Sequence, residues 1–260
     1  SAGPPRLMFA DPKWLARVQY GLTMIVAVPV AVVVAMLLAA VLAGLLKVDR
    51  DAVMLGAGVL SWLLVTIGVF LATARDASAP EDRRLTLWRR AAQIGVCLAL
   101  AAGATGLIFV QSLGRESFYF MTIDRVSEVG AFAAGAGLFF WLEHLAARNL
   151  DARRATNSRI MVVALAFASL AIVLLGLVKR LTTELEVNTA LTVGIDLISL
   201  GAWAWAWLVA SSFRRLVKQE RRFALALCAS VGESTVAVSS TAAAGQEAAA
   251  SRDPATARPE

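Results

Sequence analysis

Histidine occurs once in these 260 residues, and cysteine and tyrosine twice each. One histidine, His144, rules out a multi-histidine metal site built within a single chain. Two cysteines exclude a disulfide framework. Cys97 falls inside an apolar run and Cys228 in a basic segment, so each reads as a small apolar filler or a free thiol. Charge is also scarce, at 17% of residues against about a quarter in soluble domains. No glycine-rich phosphate loop, GxSxG, HExxH or CxxC pattern is present. The leading residues SAGPPRLMFADPKWLARVQ are polar and contain no apolar core, so no cleavable signal peptide is expected. No cofactor or metal is implied, and an enzymatic role is disfavoured.

Long runs without charge take the place of these features. Hydrophobic residues make up 58% of the chain, and mean hydropathy is +0.69. They are blocked into six windows of about 18 residues or more, the length that crosses roughly 30 Å of hydrocarbon. A soluble core would interrupt such runs with polar faces. The pattern predicts an all-α, polytopic integral membrane protein with six transmembrane helices arranged as three hairpins. The expected spans are 20–46, 53–73, 91–113, 129–147, 160–178 and 187–213. Residues 1–19 are expected to form a cytoplasmic lead-in with a short interfacial helix, where Trp14, Leu15 and Val18 oppose Lys13 and Arg17. Residues 214–231 read as a basic amphipathic extension, and residues 232–260, poor in apolar bulk, as a disordered tail.

Several local features refine this plan. Pro29 predicts a kink or tilt in the long first span. Residues 114–128 gather Phe118, Tyr119 and Phe120, as interfacial aromatic belts do. The fourth span carries the pairs Gly130/Ala134, Ala131/Gly135 and Ala133/Gly137, whose small side chains let helices approach closely. Trp203, Trp205 and Trp207 alternate with alanine near the end of the sixth span, as interfacial anchors packed on alanine.

Basic residues decide the orientation. One side of the expected membrane carries Arg6, Lys13 and Arg17, Arg75 with Arg83, Arg84, Arg89 and Arg90, Arg148 with Arg153, Arg154 and Arg159, and Arg214, Arg215, Lys218, Arg221 and Arg222. The other side carries only Lys47, Arg50, Arg115, Arg125, Lys179 and Arg180. The rich side is cytoplasmic, so both termini are cytoplasmic, in a bacterial inner (plasma) membrane. The net charge of +6 therefore points to anionic lipid headgroups at the basic loops and not to nucleic acid.

One stretch stands out chemically. Asp196 is the sole acid deep in any expected span, where an ionisable group is costly. Asn188, Thr192, Asp196 and Ser199 follow helical spacings of four, four and three, which line one face from the outer surface past mid-depth. A proton or small-cation path would need such a stripe. The bland alternative is that Asp196 hydrogen-bonds to another helix. Glu143 and His144, at the inner end of the fourth span, could relay protons, or could simply anchor a helix end. Two functions are consistent with these residues: a small transporter or channel-like protein using the stripe, or a non-catalytic accessory or scaffolding subunit of a membrane complex. Either one accommodates a homo-oligomer or a membrane-protein partner.

Overall fold

A computed structural model describes the backbone of residues 7–46, 50–77, 83–113, 118–181 and 185–250. Within these it describes the side chains of residues 9–41, 58–77, 83–106, 126–171 and 200–230, with a few others. The described chain is all-helical. A 3-10 turn at Leu7–Phe9 precedes α1 (Pro12–Leu46), α2 (Arg50–Ala72), α3 (Arg83–Leu113), α4 (Phe118–Arg148), α5 (Ala152–Leu181) and α6 (Leu185–Ala250). Each helix packs on its neighbours in the chain, and α6 returns to pack on α1, so the main contacts form a closed ring. The hairpins α1–α2 and α3–α4 are the most closely packed pairs, whereas α5 packs more extensively on α4 than on α6.

Short-range chemistry sets the helix ends. Asp11 accepts from the Lys13 amide at 2.8 Å, and Pro12 follows it at the first helical position, a favourable start for α1. Asp151 starts α5 in the same way, accepting from the Arg154 amide at 2.9 Å and pairing with its guanidinium at 2.6 Å. Between α4 and α5, Leu150 takes a left-handed backbone (φ 58°). The Asp151 amide donates to the Ala146 carbonyl and the Leu150 amide to that of Ala147, which closes α4 in a Schellman motif.

Small residues set the two tight crossings. On the α3–α4 contact, a Cβ built on Gly137 would stand 2.5 Å from the Ala92 nitrogen and 2.6 Å from the Trp88 carbonyl oxygen. One built on Gly130 would stand 2.7 Å from the Ala99 nitrogen. Trp88 of α3 then stacks on Phe140 of α4, with ring centroids 4.1 Å apart. Gly21 and Gly68 play the same part between α1 and α2. The expected small pairs Gly130/Ala134 and Ala133/Gly137 thus lie on a crossing helix pair, and Gly135 faces Leu165 of α5.

The core sits at the basic end of the ring. Leu15, Val18 and Leu22 of α1, Leu142 and Leu145 of α4, Met161 of α5, and Phe213 and Val217 of α6 are almost completely buried together. Away from that end, large apolar side chains face outward. Val30, Val33 and Leu37 are exposed on α1, and Val163, Phe167, Leu170 and Leu174 on α5, at spacings of three and four.

Several expectations change here. Trp14, Leu15 and Val18 are buried in one unbroken α1, not spread on a separate interfacial helix, because they continue the core-facing stripe that includes Leu22. α3 and α5 begin well before their apolar runs, since Arg83–Arg90 and Ala152–Arg159 propagate a helix whose charged side chains reach solvent. α4 begins at Phe118, well before the expected fourth span at 129–147, although the side chains of Phe118, Tyr119 and Phe120 lie outside the described residues.

α6 differs most. It runs through 66 residues, Leu185–Ala250, about 99 Å at roughly 1.5 Å per residue, well past the expected end of the sixth span. No glycine or proline occurs from residue 202 to 231, so nothing breaks the helix there. Residues 214–224 are also more than an amphipathic surface helix, because Leu216, Val217, Glu220 and Ala224 complete the core.

Two of the helices, over Pro12–Val41 and Val126–Arg148, are long and apolar enough to cross a bilayer among the described residues, and Gly58–Ala72 is a shorter apolar helix.

Candidate functional site

The residues singled out from sequence do not converge. Asn188, Thr192, Asp196 and Ser199 all lie on the α6 backbone with helical spacing intact, but their side chains lie outside the described residues. Their described neighbours are open. Leu197, Ile198, Leu200 and Gly201 are all exposed, and at about 100° per residue they cover the half of α6 that faces away from the Asn188–Ser199 stripe. Trp203 at the inner end of the stripe is 62% exposed.

Glu143 and His144 turn to different neighbours. Glu143 accepts from the Arg159 guanidinium of α5 at 2.6 Å. His144 is half-buried, with its ring centroid 6.2 Å from that of Trp141. Among the described residues, no three His, Cys, Asp or Glu side chains are grouped to hold a metal ion.

A different polar cluster occupies the basic end of the ring. α2 stops at Ala72, and its last carbonyls have no partner further along the helix. Other helices supply donors. The Trp141 indole of α4 donates to the Ala72 carbonyl at 3.0 Å, and the Trp14 indole of α1 to that of Ala74 at 2.8 Å. Thr73 donates to the Val69 carbonyl at 2.7 Å and accepts from Gln93 of α3 at 3.1 Å. Asp76 then meets Arg148, in the last turn of α4, at 2.8 Å, with side-chain exposures of only 4% and 2%. The Arg148 guanidinium also lies 5.5 Å from the centroid of the Trp14 ring, in cation–π range.

Two further contacts bring α6 into the cluster. Asn149 donates to the buried Glu220 at 3.1 Å, and Arg221 donates to Gln19 of α1 at 3.2 Å. Nearby, the Trp207 indole donates to the Val26 carbonyl of α1 at 2.9 Å, one turn before Pro29. Trp207 is thus a cross-helix tie.

Chemically, the cluster is a set of ties. Each polar group named above has a partner on another helix or on the segment that ends α2, an arrangement that fixes helix positions. Sequence reasoning missed the Asp76–Arg148 pair because both residues lie in charged loop-flanking runs, where solvation is the ordinary outcome. Trp14 and Trp141 were the available signal, since an indole at a helix end needs an acceptor once it is buried.

The described residues form two openings of note. One, of about 470 Å³, is an apolar groove between α2 and α3 lined by Phe70, Gln93, Ile94, Cys97 and Leu98. The other, of about 190 Å³, lies between α1 and α6 and includes Trp207, Ser211, Arg214 and Arg215. Comparison with known protein families, curated proteins and solved structures finds no match. Function must therefore be read from the residues.

Proposed function

We propose that the chain is a six-span protein of a bacterial inner membrane, with both termini cytoplasmic, and that it serves as a non-catalytic accessory or scaffolding subunit. The outward apolar faces of α1 and α5 support the membrane reading, because soluble monomers rarely leave patches of that extent uncovered. The strong bias of basic residues toward the end that holds the core supports the orientation.

The observation that carries the accessory reading is the division of α6. Its inner half is locked into the core through Phe213, Val217 and Glu220, while Val193, Leu197, Ile198, Leu200 and Trp203 farther out are exposed. A proton path along Asp196 would need walls on its own face, and Trp203, two turns along that face, is 62% exposed. In the accessory reading, lipid or another membrane protein covers it.

The second reading, a proton or small-cation pathway through Asn188, Thr192, Asp196 and Ser199, is favoured by their regular spacing on α6. One experiment separates the two. The purified chain is reconstituted in liposomes holding a pH-sensitive dye, and a proton or potassium gradient is imposed. The accessory reading expects decay at the rate of protein-free liposomes. Rapid decay that Asp196→Asn abolishes would replace it with the transport reading.

A further inference from the structure

The cleft between α1 and α6 combines features that the fold itself does not use. Its lining includes Val26, Trp207, Ser211, Ser212, Arg214 and Arg215, around about 190 Å³. That is below the roughly 300–1,000 Å³ typical of small-molecule pockets, a scale suited to one charged group and not to a whole metabolite. Trp207 is held in place by its bond to the Val26 carbonyl, and Ser212 by its bond to that of Val209 at 2.8 Å. The Ser211 hydroxyl, in contrast, is shielded from solvent and has no hydrogen-bond partner. Neither Arg214 nor Arg215 forms an ion pair among the described residues, although Asp76, Glu143 and Asp151 each hold an arginine elsewhere. One fixed indole, one unused hydroxyl and two arginines outside any ion pair among the described residues line one small space. Such a set matches the oxygens of a phosphate, which guanidinium forks bind through paired charge-assisted hydrogen bonds.

The surroundings indicate what carries that phosphate. Val26, Val30, Val33 and Leu37 follow one face of α1 at spacings of four, three and four, and the last three are exposed. Leu208, Ala204, Gly201 and Leu197 do the same on α6, and all are exposed. Both apolar rails lead away from the arginines toward the outer half of the helices.

We propose that the α1–α6 cleft binds the phosphate of an anionic phospholipid from the cytoplasmic leaflet, with its acyl chains lying along the Val30–Leu37 and Leu208–Leu197 rails. The assignment rests on the membrane reading above, and it goes beyond a general attraction of basic loops to lipid by naming one built site. A single lipid there would tie α6 to α1 beside the Trp207–Val26 bond, at the point where the locked half of α6 gives way to the open half.

The test uses the full chain in phosphatidylcholine nanodiscs doped with phosphatidylglycerol, released into detergent for native mass spectrometry. Wild type is expected to retain one phosphatidylglycerol in preference to phosphatidylcholine. Arg214→Gln with Arg215→Gln should reduce that retention about tenfold or more, since both forks are lost. Lys218→Gln with Arg222→Gln, two exposed residues of the same basic run, removes the same charge and should leave retention unchanged. Helical content by circular dichroism verifies that both double variants fold. Equal loss in the two double variants, or equal retention, would overturn the site. Displacement of the lipid by inorganic phosphate at matched concentration would overturn the lipid assignment. Extraction of the wild type from membranes by alkaline carbonate would instead overturn the membrane reading, so the two failures are distinguishable.

Discussion

Arg148 of α4 donates to Asp76 across 2.8 Å, with both side chains almost wholly shielded from solvent and the guanidinium set over the Trp14 ring. Removing one partner leaves an opposite charge buried without compensation, which costs about 3–5 kcal/mol. Asp76→Asn should therefore lower stability by roughly 3 kcal/mol. Adding Arg148→Met to Asp76→Asn should recover most of that loss, because an apolar side chain replaces the stranded charge. Denaturant unfolding in detergent, followed by circular dichroism, measures both. A single variant within about 0.5 kcal/mol of wild type would show that the pair is solvated after all.

The α3–α4 crossing makes a contrasting prediction about glycine. At Gly137 a new side chain would collide with backbone at Ala92 and Trp88, and backbone cannot swing aside. Gly103, on the same pair of helices, has nothing within 4 Å of a built Cβ. Gly137→Val should separate the helices, break the Trp88–Phe140 stack and cost several kcal/mol, in the range of about 1–3 kcal/mol for overpacking or more. Gly103→Ala should stabilise by roughly 0.5–1 kcal/mol, the ordinary gain of alanine inside a helix. Thermal unfolding of the two variants side by side checks both signs. Loss of stability in Gly103→Ala would reveal a partner helix on that face.

Leu150 holds a conformation that costs a leucine about 1–2 kcal/mol. Its side chain is 73% exposed, so little burial is lost on replacement. Leu150→Asn, which tolerates the left-handed region, should stabilise by about 1 kcal/mol without changing the α4–α5 turn. The midpoint of thermal unfolding should rise. A fall would mean that the Leu150 side chain makes a contact in the assembled protein.

The helices were legible from sequence because apolar run length and helix-breaking residues are local properties. The Gly130/Ala134 face was legible for the same reason, since small residues at a spacing of four mark a close crossing before any partner is known. What local pattern could not supply was the partner. Trp14, Leu15 and Val18 read as an interfacial anchor because their amphipathic spacing is the same whether headgroups or other helices cover them. Asp76 and Arg148 stand 72 residues apart, and in sequence they resemble charged neighbours such as the exposed Arg153.

The two cysteines provide the test of topology. Cys228 is exposed on α6 beyond the basic run, and Cys97 is exposed in the apolar part of α3. Both are open to a reagent in the isolated chain, so only a membrane can separate their reactivity. With both termini cytoplasmic, a membrane-impermeant maleimide should leave Cys228 unlabelled in intact cells and label it once the membrane is permeabilised. Cys97, which the six-span reading puts at hydrocarbon depth, should stay unlabelled in both cases, because a charged reagent does not enter hydrocarbon. Full denaturation in detergent should label both and calibrate the signal. Labelling of Cys228 in intact cells would invert the orientation deduced from the basic residues. Labelling of Cys97 as fast as Cys228 after permeabilisation would place α3 in water, and the six-span arrangement would fall with it.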